Sequence, residues 1–149
     1  MIISRKQGDP RWGKVEMGTS GVTIASQGCV ITSLSDILHW YKDDKTPDIL
    51  AKTLSFTSTG KLYWNSVTQK TGAKFLWRYY SLDKKVVDEA LKHPTKCVIL
   101  EFPFAGYSHW CWCLGKDWLG RYKIADPLRG DFGLSSRYGT PKGFVIFDK

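Results

Sequence analysis

From Cys29 onward the chain shows its first long apolar periodicity. Val30, Ile31, Leu34, Ile37, Leu38 and Tyr41 recur at helical spacing. The spacing predicts a buried amphipathic helix that begins at Cys29 and ends near Asp43-Asp44. Residues 1–28 carry Gly-Asp-Pro, Gly-Thr-Ser-Gly and Ser-Gln-Gly instead, which is turn chemistry throughout. Pro47 follows Thr46 at a position suited to the first residue of a helix. A short helix is therefore expected there, with Ile49, Leu50 and Leu54 as its apolar face. Another helical piece is expected over residues 63–71, stopping at Gly72. A further one covers 84–92, with Val86, Val87, Ala90 and Leu91 on one side and His93-Pro94 closing it. The pattern then changes. Residues 96–102, 109–114, 121–125 and 143–147 are short apolar or alternating runs separated by Gly, Pro and Asp, and read as strands of one antiparallel sheet. Helices first and strands after, around one core, predict a single α+β domain over residues 1–149.

Composition narrows the function classes. Of 149 residues, 42% are hydrophobic and 24% charged, which fits a globular chain long enough to bury a core. No apolar run approaches the roughly 20 residues of a membrane span. The first ten residues lack the apolar centre of a signal peptide, so the expectation is a protein that is cytoplasmic at synthesis, with virion association or release left open. The net charge of +8 attracts polyanions such as nucleic acid, anionic lipid or an anionic cell-wall polymer. The cations are scattered, as Lys42, Lys45, Lys52, Lys61, Lys70, Lys74, Lys84 and Lys85 show, and no basic run marks a specific nucleic-acid partner.

The four cysteines are read as reduced. Cys111 and Cys113 alternate along one strand-like run, and Cys97 lies in the apolar stretch Cys97-Val98-Ile99-Leu100, a usual place for a buried thiol. No CxxC pair suggests structural zinc. Cys29 differs, because it stands where a helix begins. Unpaired N–H groups and the helix dipole at such a position favour a thiolate. A nearby imidazole can take the proton, and an acid can fix the imidazole's tautomer. His109 is the candidate base, since His39 lies inside the first helix and His93 sits in a turn before proline. Asp126 is the candidate orienter, because a strand beside that of His109 brings its terminal carboxylate near the ring. A metal set of His109, Cys111 and Cys113 on one strand face is the weaker alternative, lacking an evident fourth ligand. Trp12, Trp64, Trp77 and Trp118 are candidates for lining a groove, with core and rim packing as the default.

Five segments together carry a resemblance. Gln7-Gly8-Asp9-Pro10-Arg11-Trp12-Gly13, Thr23-Ile24-Ala25-Ser26-Gln27-Gly28-Cys29, Thr46-Pro47, Ser108-His109 and Ile124-Ala125-Asp126-Pro127 resemble the bacteriocin-processing-peptidase-like (double-glycine leader peptidase-like) family of papain-fold cysteine peptidases. The likeness runs from about residue 7 to residue 147. It implies a papain-like fold with N-terminal helices packed on a C-terminal antiparallel sheet. It implies Cys29 as nucleophile, His109 as base, Asp126 as its orienter, and no cofactor or metal. The family's oxyanion-hole glutamine matches Gln7 by its Asp-Pro-Arg-Trp context, with Gln27 as the alternative. The chain departs from the family at Val30, where members often carry Gly, and at Asp36, two turns beyond Cys29 near its face of the helix, where a buried acid would raise the thiol and a solvated one would not. The resemblance therefore implies a hydrolase acting on a peptide or a peptidoglycan cross-link, as phage lysis or tail proteins such as the CHAP-type amidases do. The alternative is a catalytically inactive papain-fold binding module.

Overall fold

Six strands form one antiparallel sheet, and five α-helices are distributed around it. The computed structural model describes all 149 residues. In chain order the helices are α1 (Ile24–Gln27), α2 (Cys29–Trp40), α3 (Pro47–Thr53), α4 (Asn65–Lys70) and α5 (Lys84–Lys92). The strands are β1 (Lys74–Tyr79), β2 (Cys97–Phe104), β3 (Tyr107–Lys116), β4 (Tyr122–Asp126), β5 (Asp131–Leu134) and β6 (Gly143–Asp148). Their order across the sheet is β1-β6-β2-β3-β4-β5. The architecture is α+β.

Strand alternation divides the core in two. Ile99, Trp110, Trp112, Val145 and Phe147 face one way and pack with Ile31, Leu34, Ile37 and Leu38 of α2 and Leu50 of α3. Val98, Leu100, Cys111, Ile124 and Phe144 face the other way and pack with Val87 and Ala90 of α5. Each fully buried aliphatic side chain contributes about 1.5–3 kcal/mol, so the apolar stripe of α2 fixes that helix against the middle of the sheet. Helix α2 stops after Trp40, short of Asp43-Asp44. Lys42 takes a left-handed conformation (φ 65°), and the Asp43 N–H closes back on the Leu38 carbonyl at 2.9 Å.

The start of α2 is fixed by a close approach. Thr23 caps α1, and the Gly28 N–H donates to the Ile24 carbonyl at 2.8 Å. A Cβ on Gly28 would lie 2.6 Å from that carbonyl oxygen and 2.7 Å from Ile24 Cα. These are backbone atoms and cannot swing aside. Gly28→Ala is therefore expected to destabilise the protein by about 1–3 kcal/mol and to displace Cys29. Thermal unfolding measures the first effect; an unchanged midpoint would refute the crowding.

Several elements differ from the sequence expectation. The turn-rich opening contains α1, a single turn too short to show a period. The 63–71 piece is helical only over Asn65–Lys70. Ile49 is exposed, and Ala51 takes its place in the buried face of α3. Strand β1 was not expected, nor was its place before α5. A bulge between Phe75 and Trp77 breaks its alternation. Strand β5 is four residues long and contains Gly133, which leaves little pattern to read.

Candidate active site

Asp126 ends β4 and is fully buried. Its Oδ1 accepts from His109 Nε2 at 2.9 Å and from the Leu128 backbone N–H at 3.0 Å. Its Oδ2 accepts from Arg137 Nη1 at 2.8 Å and from the Tyr138 hydroxyl. Burial alone raises a carboxyl. Here the hydrogen bonds from His109, Tyr138 and Arg137 outweigh it and hold Asp126 well below the ordinary carboxylate range. Asp126 is thus a fixed anion. It binds Nε2 of the imidazole and leaves Nδ1 as the nitrogen free for other work. The His109 ring also packs edge-on against Tyr138, with centroids 4.7 Å apart.

Cys29 is the first residue of α2, and no side chain caps that helix. Burial pushes the thiol up to about 11, while N–H groups of Trp110, Val30 and Cys29 itself pull it down. The N–H of Trp110 belongs to the residue after His109, so the sulfur lies against β3, the imidazole's own strand. Cys29 and His109 line one cavity of about 590 Å³. They reach it from opposite faces of the sheet, at its end: Trp110 shares the α2 core, while His109 has the strand register of Cys111. No hydrogen bond joins the sulfur to the ring; the bonded pair is His109–Asp126.

Gln7 lines the same cavity and is buried. Its Nε2 donates to the Ala25 carbonyl at 3.1 Å, which uses one of its two hydrogens, and its Oε1 has no partner. Its backbone N–H donates to the Pro127 carbonyl at 2.7 Å, tying it to the residue after Asp126. Gln27 also borders the cavity but is exposed at the end of α1. Burial and anchoring therefore favour Gln7 as the preorganised amide.

Asp36 does not act on the thiol from the helix face. Its two carboxylate oxygens each lie 3.2 Å from the backbone N–H of Arg5, whose guanidinium bonds Ser35 Oγ at 2.9 Å and Asp44 at 3.0 Å. The N-terminal segment is thereby pinned to α2 two residues before Gln7. Burial pushes Asp36 up to about 8, against the backbone N–H and charge of Arg5. An acid whose folded value is raised stabilises the fold below its ordinary value near 4, and this contribution is lost as pH rises through about 8. Wild-type unfolding midpoints are therefore expected to fall from pH 4 to pH 8 relative to Asp36→Asn. Parallel curves would refute this assignment.

The metal set His109, Cys111 and Cys113 does not assemble. The Cys113 thiol turns to the Gly115 carbonyl, and Asp126 stands in its place, with ligand atoms of His109, Cys111 and Asp126 within 4.8 Å of one another. Both Asp126 oxygens already accept from protein donors, which leaves this set poorly suited to an ion. All four cysteines are free. Of the four tryptophans proposed for a groove, only Trp64 lines the cavity. Trp12 is buried in the α2 core, its indole donating to the Lys6 carbonyl at 2.9 Å, while Trp77 and Trp118 project into solvent.

Sequence reading missed Arg137 and Tyr138, which hold the far oxygen of Asp126. Their only signal is chemical: a buried acid needs donors beyond one imidazole, and an Arg-Tyr pair lies eleven residues downstream. It also missed Arg78 and Glu101, which sit on β1 and β2 and meet beside Trp110. No helix of this protein is long and apolar enough to cross a membrane. No family model and no curated protein matches the chain.

Proposed function

We propose that this protein is a papain-like cysteine hydrolase that cleaves an amide bond through a thioester. One observation carries the reading: Cys29 at an uncapped helix start, the bonded His109–Asp126 pair and the buried Gln7 amide all converge on one cavity. The bacteriocin-processing-peptidase-like resemblance adds the same residues in the same roles.

The chemistry runs on these groups. Burial keeps the resting thiol protonated, so His109 acts as a general base at the moment of attack. The Cys29 sulfur bonds to the carbonyl carbon as its proton passes to His109 Nδ1. Asp126 holds Nε2–H and stabilises the imidazolium. The free hydrogen of Gln7 Nε2 and the Cys29 N–H receive the oxyanion. The tetrahedral species collapses, the C–N bond breaks, and His109 returns the proton to the leaving amine. Water, deprotonated by His109, then attacks the thioester carbon, the C–S bond breaks, and His109 returns the proton to the Cys29 sulfur as the acid leaves. The substrate class is a peptide or a peptidoglycan cross-link, and the +8 charge suits an anionic cell-wall polymer and a phage-type lytic role.

The missing sulfur–imidazole hydrogen bond favours a second reading, a papain-fold binding module without turnover. Incubation with purified sacculi and with an internally quenched peptide library separates them. New primary amines or cleaved peptides are expected. Their absence from both, with folded protein, would leave the binding module.

A further inference from the structure

We propose that the cavity wall beside His109 is a carboxylate-binding subsite, so that the ligand carries a carboxylate close to the bond presented to Cys29. The fate of that bond rests on the hydrolase reading, whereas recognition of the carboxylate does not.

Arg78 is the centre of the subsite. Its guanidinium is clamped between the rings of Tyr80 and Trp110, 4.2 and 4.7 Å from their centroids. In its plane, Nη2 donates to Glu101 Oε1 at 2.7 Å and Nη1 to the Tyr79 carbonyl. A guanidinium has five N–H donors, so these two bonds leave three without a protein acceptor. The side chain is 13% exposed and lines the cavity, so a ligand there meets donors that no protein group accepts. A ligand carboxylate matches them in charge and fork geometry.

Glu101 positions the arginine and is not itself a cation site. Its Oε1 is taken by Arg78. Its Oε2 accepts from Ser108 Oγ at 2.7 Å and lies 4.0 Å from Lys142 Nζ. Lys61, on the segment of Phe56 and Leu62, also lines the cavity, so Arg78, Lys61 and Lys142 set against Glu101 leave its lining an excess of two positive charges.

The backbone makes room for the pair. Glu101 lies opposite Trp110 on one side and opposite Gly143 on the other. A Cβ on Gly143 would lie 2.6 Å from the Tyr79 carbonyl oxygen, 2.7 Å from Arg78 Nη1 and 2.8 Å from Glu101 Oε1. The ion pair rests on a position that only glycine leaves open. Trp110 faces the α2 core as Cys29 does, so the open donors of Arg78 stand on the Cys29 side of the sheet, and Ser108, which bonds Glu101, is the residue before His109.

The carboxylate can be a side chain or a chain terminus, and three peptide pools separate these sources. Randomised N-acetyl tripeptides are prepared as amides without Asp or Glu, as amides with one Asp or Glu, and as free acids without Asp or Glu. Each is titrated into ¹⁵N-labelled Cys29→Ala protein, with the Arg78 Nε–H and Trp110 indole N–H signals as readout. One or both acidic pools are expected to bind about tenfold or more tighter than the neutral pool, the scale of one charge-assisted hydrogen-bond pair. Arg78→Gln on the same background abolishes the preference. Should Arg78→Gln fail to fold, Lys142→Gln, on the surface, is expected to reduce the preference severalfold. Equal binding of the three pools, or binding of none, would overturn the subsite. Alkylation of wild-type Cys29 reports the hydrolase reading separately. An inert Cys29 with an acidic preference sinks only the hydrolase, and a reactive Cys29 without preference sinks only the subsite.

Discussion

Replacing Cys29 with alanine is expected to abolish amide cleavage, with kcat falling by about 10⁵-fold or more and KM little changed. The sulfur is the only group proposed to bond to the substrate carbon, so no neighbour can take over. Cys97, Cys111 and Cys113 are buried in the two cores, and burial pushes each of their thiols up. The fold is expected to survive the change. Alanine suits a helix start, and the loss is a small side chain at the edge of the α2 core. Steady-state turnover on any substrate that the wild type cleaves, paired with a thermal melt, checks both halves. Unchanged turnover would reject the mechanism.

The second large effect is expected at Asp126, and it is structural as well as catalytic. Asp126→Ala leaves Arg137, Tyr138 and His109 without the buried anion that all three donate to. Removing one partner from such a buried network costs about 3–5 kcal/mol. Arg137 is partly solvated and also bonds Asp131 at 2.7 Å, which places the loss toward the lower end. Asp126→Asn keeps the shape and loses the charge. Its activity is expected to fall by about 10⁴-fold, because an amide in that place no longer fixes the imidazole tautomer. The sign of the pH effect follows from the depressed carboxyl. An acid held below its unfolded value near 4 gives its full contribution above that value and loses it as pH falls through the folded value. Wild type is therefore expected to lose stability below pH 4 more steeply than Asp126→Asn. Denaturant midpoints between pH 7 and pH 2 measure the difference, and identical slopes would refute the assignment. Asp36 acts in the opposite pH window, so the two carboxylates together place maximal stability in the mildly acidic range.

The sequence carried the parts of this architecture that repeat a period. The stripe from Val30 to Tyr41 located α2 and put Cys29 at its start, because burial against a flat sheet demands one apolar face. The alternation around His109 and before Asp126 located β3 and β4, and antiparallel neighbours bring strand ends together, so their contact was legible in the sequence. Single-turn, bulged or very short elements escaped, as α1, β1 and β5 show. Residues whose role depends on register alone escaped as well. Nothing in the segment around Arg78 marks it as lying over Trp110; that contact exists because β1 and β6 pair across 63 residues of intervening sheet and helix, with Gly143 beneath. Arg137 and Tyr138 reach Asp126 only because β5 turns back at the sheet edge. Asp36 could be read as a buried acid acting on the thiol or as a solvated one, and it anchors Arg5 instead, because helical spacing gives a direction but not the partner that arrives from the N-terminal segment.

The alkylation rate of Cys29 by iodoacetamide at pH 7, in wild type and in His109→Ala, bears most directly on whether sulfur and imidazole act as one unit. Mass spectrometry resolves Cys29 from Cys97, which serves as an internal reference thiol. In wild type, Cys29 is expected to react faster than Cys97, and loss of the imidazole is expected to slow it by about 100-fold while Cys97 is unaffected. Equal rates at Cys29 with and without the imidazole would show a buried thiol titrating alone, and the proposed hydrolase would have no base.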